Sequence, residues 1–345
     1  MVKRYLPPEW APQSGVMLTW PHSHSDWKAI LAEVDEVFCE LATHISRREK
    51  VLIVAYDEQH RQHIERLLQH TQTVVQNLRI IIIKSNDTWA RDHGPITIIE
   101  DGQPMLLDFT FNGWGGKYAA DLDNQLTRSL QQQGAFHSLH VEAIDMVLEG
   151  GSIDVNSQGL LLTTSSCLLT DTRNPGLSRE QIESALKSYF GVHTLLWLDH
   201  GHLVGDDTDS HIDTLARFCN DNTIAYTVTT NRNDEHFEGL QKMEQQLNTL
   251  TQSLPQPIKL VALPLPPAQY KKNGMRLPAT YANFLIINGA VLVPTYRCST
   301  DTEALTILQT CFPERDIIGI DCLPLINQFG SLHCVTMQLP AGVLV

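Results

Sequence analysis

Near the C-terminal end of the chain, one cysteine stands where chemistry is possible. In Phe329–Gly330–Ser331–Leu332–His333–Cys334–Val335–Thr336–Met337–Gln338, Cys334 follows a glycine-containing loop and precedes an apolar, β-prone run. Free cysteine is among the most buried residue types, so a core thiol is the plain alternative to a nucleophile. What favours the nucleophile lies upstream. Asp92 sits in Trp89–Ala90–Arg91–Asp92–His93–Gly94–Pro95, Glu149 in Glu149–Gly150–Gly151, and His211 and Asp213 in Asp209–Ser210–His211–Ile212–Asp213. A thiolate attacks more readily than a thiol, so Cys334 needs positive charge beside it. His211 can protonate a departing ammonia and then activate water. Asp92 and Asp213 would repel a developing oxyanion but grip a planar cation with several N–H donors. A guanidinium meets these conditions, and its own charge favours the thiolate.

The elements that must bring these residues together recur along the chain. Gly15–Trp20 reads as a strand, Ser25 to about Arg47 as a helix with an apolar stripe, and Val51–Tyr56 as a buried strand. A helix near Asp57–His70 and a strand at Leu78–Lys84 follow. Four hairpins then appear: 96–99 with 105–109, 152–155 with 160–164, 214–218 with 223–228, and 284–287 with 291–294. Asn288–Gly289 gives the last of them the strongest turn signal. Each hairpin leads to a helix (121–133, 178–189, 234–251, 301–311) and then a strand (138–141, 192–198, 258–262, 317–320). Ser178 with Gln181 forms a candidate capping box. A strand–strand–helix–strand unit thus repeats about every sixty residues. A fifth unit arises if 333–339 pairs with 16–20. The chemistry-bearing residues then hold one phase of the repeat: each precedes a hairpin, and a ring of such units brings them to one axis.

Composition narrows the function. The chain has 345 residues, 42% of them hydrophobic and 19% charged, with no low-complexity segment, and is read as one domain spanning 1–345. A formal charge of −14 argues against nucleic acid as partner and suits a small cation. The start has two basic residues without an apolar stretch behind them, and no run is apolar enough to span a bilayer, so a cytoplasmic enzyme without membrane contact is expected. Seven cysteines without a CxxC fit reduced thiols.

Trp89–Pro95, Phe111–Asn112–Gly113–Trp114–Gly115–Gly116, Glu149–Gly151, His211–Ile212–Asp213, Tyr281–Ala282–Asn283–Phe284 and His333–Thr336 together resemble the agmatine deiminase family of guanidine-modifying enzymes. The resemblance covers nearly the whole chain in order. It implies a five-fold pseudosymmetric α/β propeller, and hydrolysis of agmatine to N-carbamoylputrescine and ammonia through a covalent thiouronium, with no metal or cofactor. Carried over by position, Cys334 is the nucleophile and His211 the acid/base. Asp92 and Asp213 hold the guanidinium, and Glu149 orients His211 or binds another guanidinium nitrogen. Agmatine's distal amine suits Asp87, with a turn or cap residue as the alternative. Trp89 and Trp114 can line the alkyl channel or belong to the core, and Gly151 lets backbone approach the substrate. Three positions depart from the family pattern: Phe329–Leu332 replaces a glycine run, Ser210 a glycine, and Met337 a glutamine.

Two other readings compete. One is the same chemistry on free arginine, which asks for a cation to meet its α-carboxylate, or on a peptidyl-arginine, whose secreted enzyme would be expected to carry an export signal. The other is a non-catalytic propeller binding a cation or a protein, against which the presence of both Cys334 and His211 counts. Gly113–Lys117 is not a P-loop, since Tyr118 stands where Ser/Thr is required. His22–Ser23–His24 and His200–Gly201–His202 lack a third ligand. A homodimer is compatible with all of this.

Overall fold

Turn chemistry and apolar patterning account for the elements in the computed structural model, which describes residues 3–344. Five sheets share one pairing plan. Their members are Ile96–Glu100, Gln103–Thr110 and Val141–Val147; Ile153–Val155, Leu160–Thr164 and Thr194–Leu198; Ala216–Asn220, Thr223–Val228 and Lys259–Pro264; Leu285–Ile287, Ala290–Thr295 and Asp316–Asp321; and Thr336–Pro340, Gln13–Thr19 and Lys50–Ala55. In each, the first two strands are antiparallel and the third is parallel to the second. Parallel neighbours require a crossover, and a helix supplies it every time. The helices are Leu126–Gln132, Arg179–Phe190, Phe237–Gln252, Asp301–Cys311 and Leu31–Ser46. Two sheets gain an edge strand, Arg4–Tyr5 beside Ile96–Glu100 and Leu78–Ile82 beside Lys50–Ala55.

The fifth sheet joins the two ends of the chain, with Thr336 opposite Leu18 and Gln338 opposite Val16. That is the pairing the repeat count demands. Ser178 and Gln181 form their capping box at the start of Arg179–Phe190. The turn at Asp101–Gly102 has φ of 48° and 83°, as a two-residue hairpin needs. At Asn288–Gly289 only the glycine is left-handed, because Asn288 is used otherwise: its amide bridges the N–H and C=O of Gln13 at 3.2 and 2.9 Å.

One strand differs from expectation. It runs Val141–Val147 rather than 138–141. Glu142 and Asp145 break the apolar run that the pattern follows: Asp145 is exposed on the face opposite buried Ile144 and Met146, while Glu142, half-buried, pairs with Arg4 at 3.4 Å. The crossover helices bury one stripe each, for example Val34, Val37, Phe38, Leu41 and Ile45 in Leu31–Ser46. Among the described residues no helix is long and apolar enough to cross a membrane.

Candidate active site

Asp92, Glu149, His211, Asp213 and Cys334 each sit on the short turn before the first strand of their sheet, whereas Trp114 follows a second strand, Gln103–Thr110. Ala90–His93 is a single helical turn ahead of Ile96. Glu149 precedes the 3-10 turn Gly150–Ser152, His211 precedes the 3-10 turn Ile212–Thr214, and Cys334 lies two residues before Thr336. Hydrogen bonds tie these turns to one another. Arg91 N–H donates to Cys334 C=O at 3.1 Å, Gly151 N–H to Asp92 Oδ1 at 3.1 Å, Asn283 Nδ2 to Asp213 C=O at 3.3 Å, and His333 N–H to Asn283 Oδ1 at 2.9 Å. Asn283 Oδ1 also lies 3.4 Å from Cys334 Sγ, in position to accept from the thiol.

A cavity of about 420 Å³ opens onto Cys334, and Asp92, Trp114, Trp89 and Asp87 line it. Gly330 and Phe329 line it too, beside Asp26, Tyr118, Asp207, Thr208 and Gln328. Four aspartates and no lysine or arginine thus face its interior. Lys117 and Lys271 are near the rim but committed elsewhere. Lys117 is bonded to Asp209 and to the Asp207 carbonyl, and the Lys271 ammonium lies 3.8 Å from the centre of the Phe329 ring.

Asp92 faces away from its neighbour Arg91, whose guanidinium lies 3.7 Å from Glu9 and bonds to Gln338. Asp92 Oδ2 accepts from Trp114 Nε1 at 3.0 Å. Trp114 reaches it from a run of left-handed residues: Gly113, Trp114, Gly115 and Gly116 have φ of 69°, 55°, 85° and 81°. A left-handed non-glycine costs about 1–2 kcal/mol. A hydrogen bond to a charged group contributes about 1.5–3 kcal/mol, enough to offset that strain once Asp92 is ionised.

Asp92, Asp213 and His211 converge on Gly151. A Cβ there would lie 2.6 Å from His211 Nδ1, 2.9 Å from Asp92 Oδ1 and 3.1 Å from Asp213 Oδ2. Asp213 Oδ2 pairs with His333 Nδ1 at 2.7 Å, leaving Oδ1 buried without a partner. Both ring nitrogens of His211 are buried and unpartnered too, with Asp92 at 3.6 Å and Glu149 at 4.0 Å, beyond hydrogen-bonding range. Buried polar atoms without partners are uncommon, and here they cluster at one place.

The electrostatics are those of a site awaiting a cation. Burial, with the charges of Asp213 and Glu149 behind it, pushes Asp92 well above the usual carboxylate range. Burial acts on Asp213 in the same direction, but His333 outweighs it and holds Asp213 below that range. Like charges at one site push two carboxyl groups apart in this way. Burial lowers His211 to about 3, so its imidazole is neutral at neutral pH. Burial and the charges of Asp213 and Asp92 raise the Cys334 thiol well above its ordinary value. At the far end, burial raises Asp87 to about 6, while its Oδ1 accepts from Trp27 Nε1 and Thr88 N–H at 2.7 and 2.8 Å.

Glu149 is fully buried and accepts from Arg173 Nε at 2.9 and 3.0 Å; Arg173 in turn donates to Asp209 and to the Thr208 carbonyl. Cys167 lies behind this layer. Its sulfur and donor atoms of Glu149 and His211 fall within 4.8 Å of one another, a set able to hold a metal ion once Arg173 lets go of Glu149. Cys167 does not line the cavity, whereas Cys334 does.

Sequence patterns missed several members of the site. Asp26 and Asp207 face the cavity, and Glu9 and Arg173 support it; Asn283 and His333 stood in the motifs above without a role. The one local cue was Pro7–Pro8, a rigid lead into Glu9.

Comparison with known proteins bears on the family and the fold. Residues 5–340 match the family model described as Porphyromonas-type peptidyl-arginine deiminase. An agmatine deiminase of Stutzerimonas stutzeri is 32% identical, over 98% of this chain and 95% of that protein. Among solved structures, an agmatine deiminase from C. jejuni, in a cysteine-to-serine variant with substrate bound, matches with a TM-score of 0.92 and 38% identity. That match covers 99% of this chain and 98% of the other. A Porphyromonas gingivalis protein, named provisionally as an arginine deiminase, matches with a TM-score of 0.93 and 50% identity over 99% and 100%. The chain therefore belongs to the Porphyromonas-type peptidyl-arginine deiminase family, the family of the agmatine deiminases it matches over its full length.

Proposed function

We propose that this chain hydrolyses agmatine to N-carbamoylputrescine and ammonia. The observation that carries the reading is the cavity itself: Cys334 and Asp92 at one end, Asp26, Asp87 and Asp207 grouped near Tyr118 at the other, and no lining cation. Agmatine is a dication with a guanidinium and an amine at opposite ends. Its guanidinium fits between Asp92 and the free Oδ1 of Asp213, and its presence lets Asp92 ionise. The same positive charge lowers the cost of a thiolate at Cys334, whose proton passes to neutral His211.

The thiolate attacks the guanidinium carbon, forming the C–S bond. The C–N bond to a terminal nitrogen then breaks as His211 gives that nitrogen its proton, and ammonia leaves a thiouronium on Cys334. Water, deprotonated by His211, adds to the same carbon. Cleavage of the C–S bond returns Cys334 and releases the ureido product. Glu149, held by Arg173, keeps His211 aimed at the site, and Trp89 and Trp114 wall the alkyl chain. The whole chain acts as one domain. The five sheets are blades of a pseudo-five-fold propeller about this cavity, a reading supported by the hydrogen bonds that link one blade's entry turn to the next. A cytoplasmic enzyme, without metal, cofactor, nucleic acid or membrane contact, completes the proposal, with a homodimer as its simplest assembly.

Arginine or a peptidyl-arginine is the second reading, favoured by the 50% identity to the Porphyromonas gingivalis protein. Either substrate brings a carboxylate or amide to the end where three aspartates stand. The test is ammonia release from agmatine, arginine and a blocked peptidyl-arginine, side by side. Strong preference for agmatine is expected, and turnover of arginine alone would overturn the substrate while sparing the residue roles.

A further inference from the structure

Glu9 lies on the segment leading into the first strand, far in sequence from every residue of the site, yet it is 5% exposed. Its Oε2 lies 2.7 Å from His333 Nε2 and accepts from Arg217 at 2.9 Å, while its Oε1 accepts from Ile286 N–H at 2.7 Å. On the other side of the ring, His333 Nδ1 lies 2.7 Å from Asp213 Oδ2. An imidazole held between two carboxylate oxygens at this distance donates from both nitrogens, so the ring carries the proton that both contacts need. Two carboxylates and one imidazolium thus form a continuous run into the site, ending at the unpartnered Oδ1 of Asp213.

We propose that Glu9 is a positioning residue for the reaction: acting through His333, it keeps Asp213 ionised and turned so that its free oxygen meets the substrate guanidinium. The inference rests on the role given to Asp213 above. Glu9 touches no substrate. It faces instead a second cavity of about 500 Å³, lined also by Arg91, Asp154, His333 and Gln338. The other charged and titratable groups around this run are Arg91, Arg217 and Asp154 on the Glu9 side and Asp92, His211 and Cys334 on the Asp213 side. Arg217 bridges Glu9 and Asp154, so an uncharged, isosteric side chain at position 9 leaves that cation a partner.

With Glu9→Gln, His333 can give up a proton and still donate Nδ1–H to Asp213. Asp213 then loses a full positive neighbour while Asp92 remains beside it, and it binds a proton more tightly. The acid limb of kcat at saturating agmatine, where the bound guanidinium keeps Asp92 ionised, is expected to move to higher pH by about one unit, roughly a tenfold loss below that limb, with recovery on the alkaline side. A purely structural role would lower activity evenly across pH. His333→Asn keeps a donor toward Asp213 but removes both the charge and the link to Glu9. It is expected to give the same shift, and the double variant no more than either alone. Glu9→Asp, which restores the charge, is expected to move the limb back. Asp213→Asn is the control for the underlying reading: full activity there overturns the role of Asp213. An inactive Asp213→Asn with a wild-type pH profile in Glu9→Gln overturns the inference alone, and so do additive shifts in the double variant. Should Glu9→Gln not fold, His333→Asn decides by the same profile.

Discussion

Asp87→Asn tests whether the far end of the cavity reads the second charge of the substrate. Asp87 lines the cavity with one oxygen, Oδ1, already occupied by Trp27 and Thr88. Asparagine can keep those two acceptor contacts and turn its amide toward the cavity, so the fold is preserved. What disappears is a charge. A hydrogen bond involving a charged group contributes about 1.5–3 kcal/mol, a factor of roughly 10–150. Asp26 and Asp207 share that end, so the loss belongs near the lower bound, about tenfold to thirtyfold in kcat/KM for agmatine. The assay compares agmatine with butylguanidine, which has the same guanidinium and chain but no amine. Butylguanidine turnover is expected to be unchanged. The pH dependence follows from the raised value of about 6. Below pH 6 the empty site holds Asp87 protonated and the preference for agmatine narrows; above it the carboxylate is formed and the preference is full. The sign for stability is opposite: ionising a carboxyl group whose folded value is raised weakens the fold as pH rises, so the variant is expected to melt at or above the wild-type temperature at pH 8. Equal loss for agmatine and butylguanidine would refute the reasoning.

Four further outcomes bear on the site. Cys334→Ser is expected to remove turnover by about 10⁴ or more without unfolding. Cys167→Ala is expected to cost roughly 1–2 kcal/mol of stability and leave turnover of the wild-type order; the reverse pattern in paired ammonia-release and melting measurements would move the nucleophile to Cys167. Gly151→Ala puts a methyl group against His211, Asp92 and Asp213. A displacement of about 1 Å there is expected to lower kcat/KM by roughly 10², at a stability cost of about 1–3 kcal/mol in denaturant titration. Ser210 has φ 67° and no side-chain hydrogen bond, so Ser210→Gly is expected to raise unfolding free energy by about 0.5–1 kcal/mol with turnover unchanged.

Local rules made the elements legible, since hairpin turns, capping boxes and apolar periods are written in neighbouring residues. The phase of the repeat made Cys334, Asp92, Glu149, His211 and Asp213 legible, because each occupies the same place in its unit. The Glu9–His333 pairing was not, since 324 residues separate the two and their contact exists only once both ends of the chain share a sheet. Arg173 was hidden likewise: its link to Glu149 and Asp209 depends on how two loops meet, and nothing local marks it.

The departures from the family's glycine pattern carry a further lesson. Ser210 and Phe329 stand where the resemblance leads one to expect glycine, and both are left-handed, at φ 67° and 70°, as is Asp209 at 67°. The backbone has therefore kept the conformation that glycine accepts without strain, at about 1–2 kcal/mol for each substituted residue. Contacts beyond the loops hold it there. Asp206 accepts from Ser210 N–H at 2.7 Å, Thr164 donates to the Ser210 carbonyl, the Lys271 ammonium packs on the Phe329 ring, and Gly330 presses flat against Trp89. Both strained stretches lead directly into His211 and Cys334. A chain that holds non-glycine residues left-handed at both places is one in which the placement of that histidine and that thiol outweighs the strain, which argues for a working site more strongly than the presence of the two residues does.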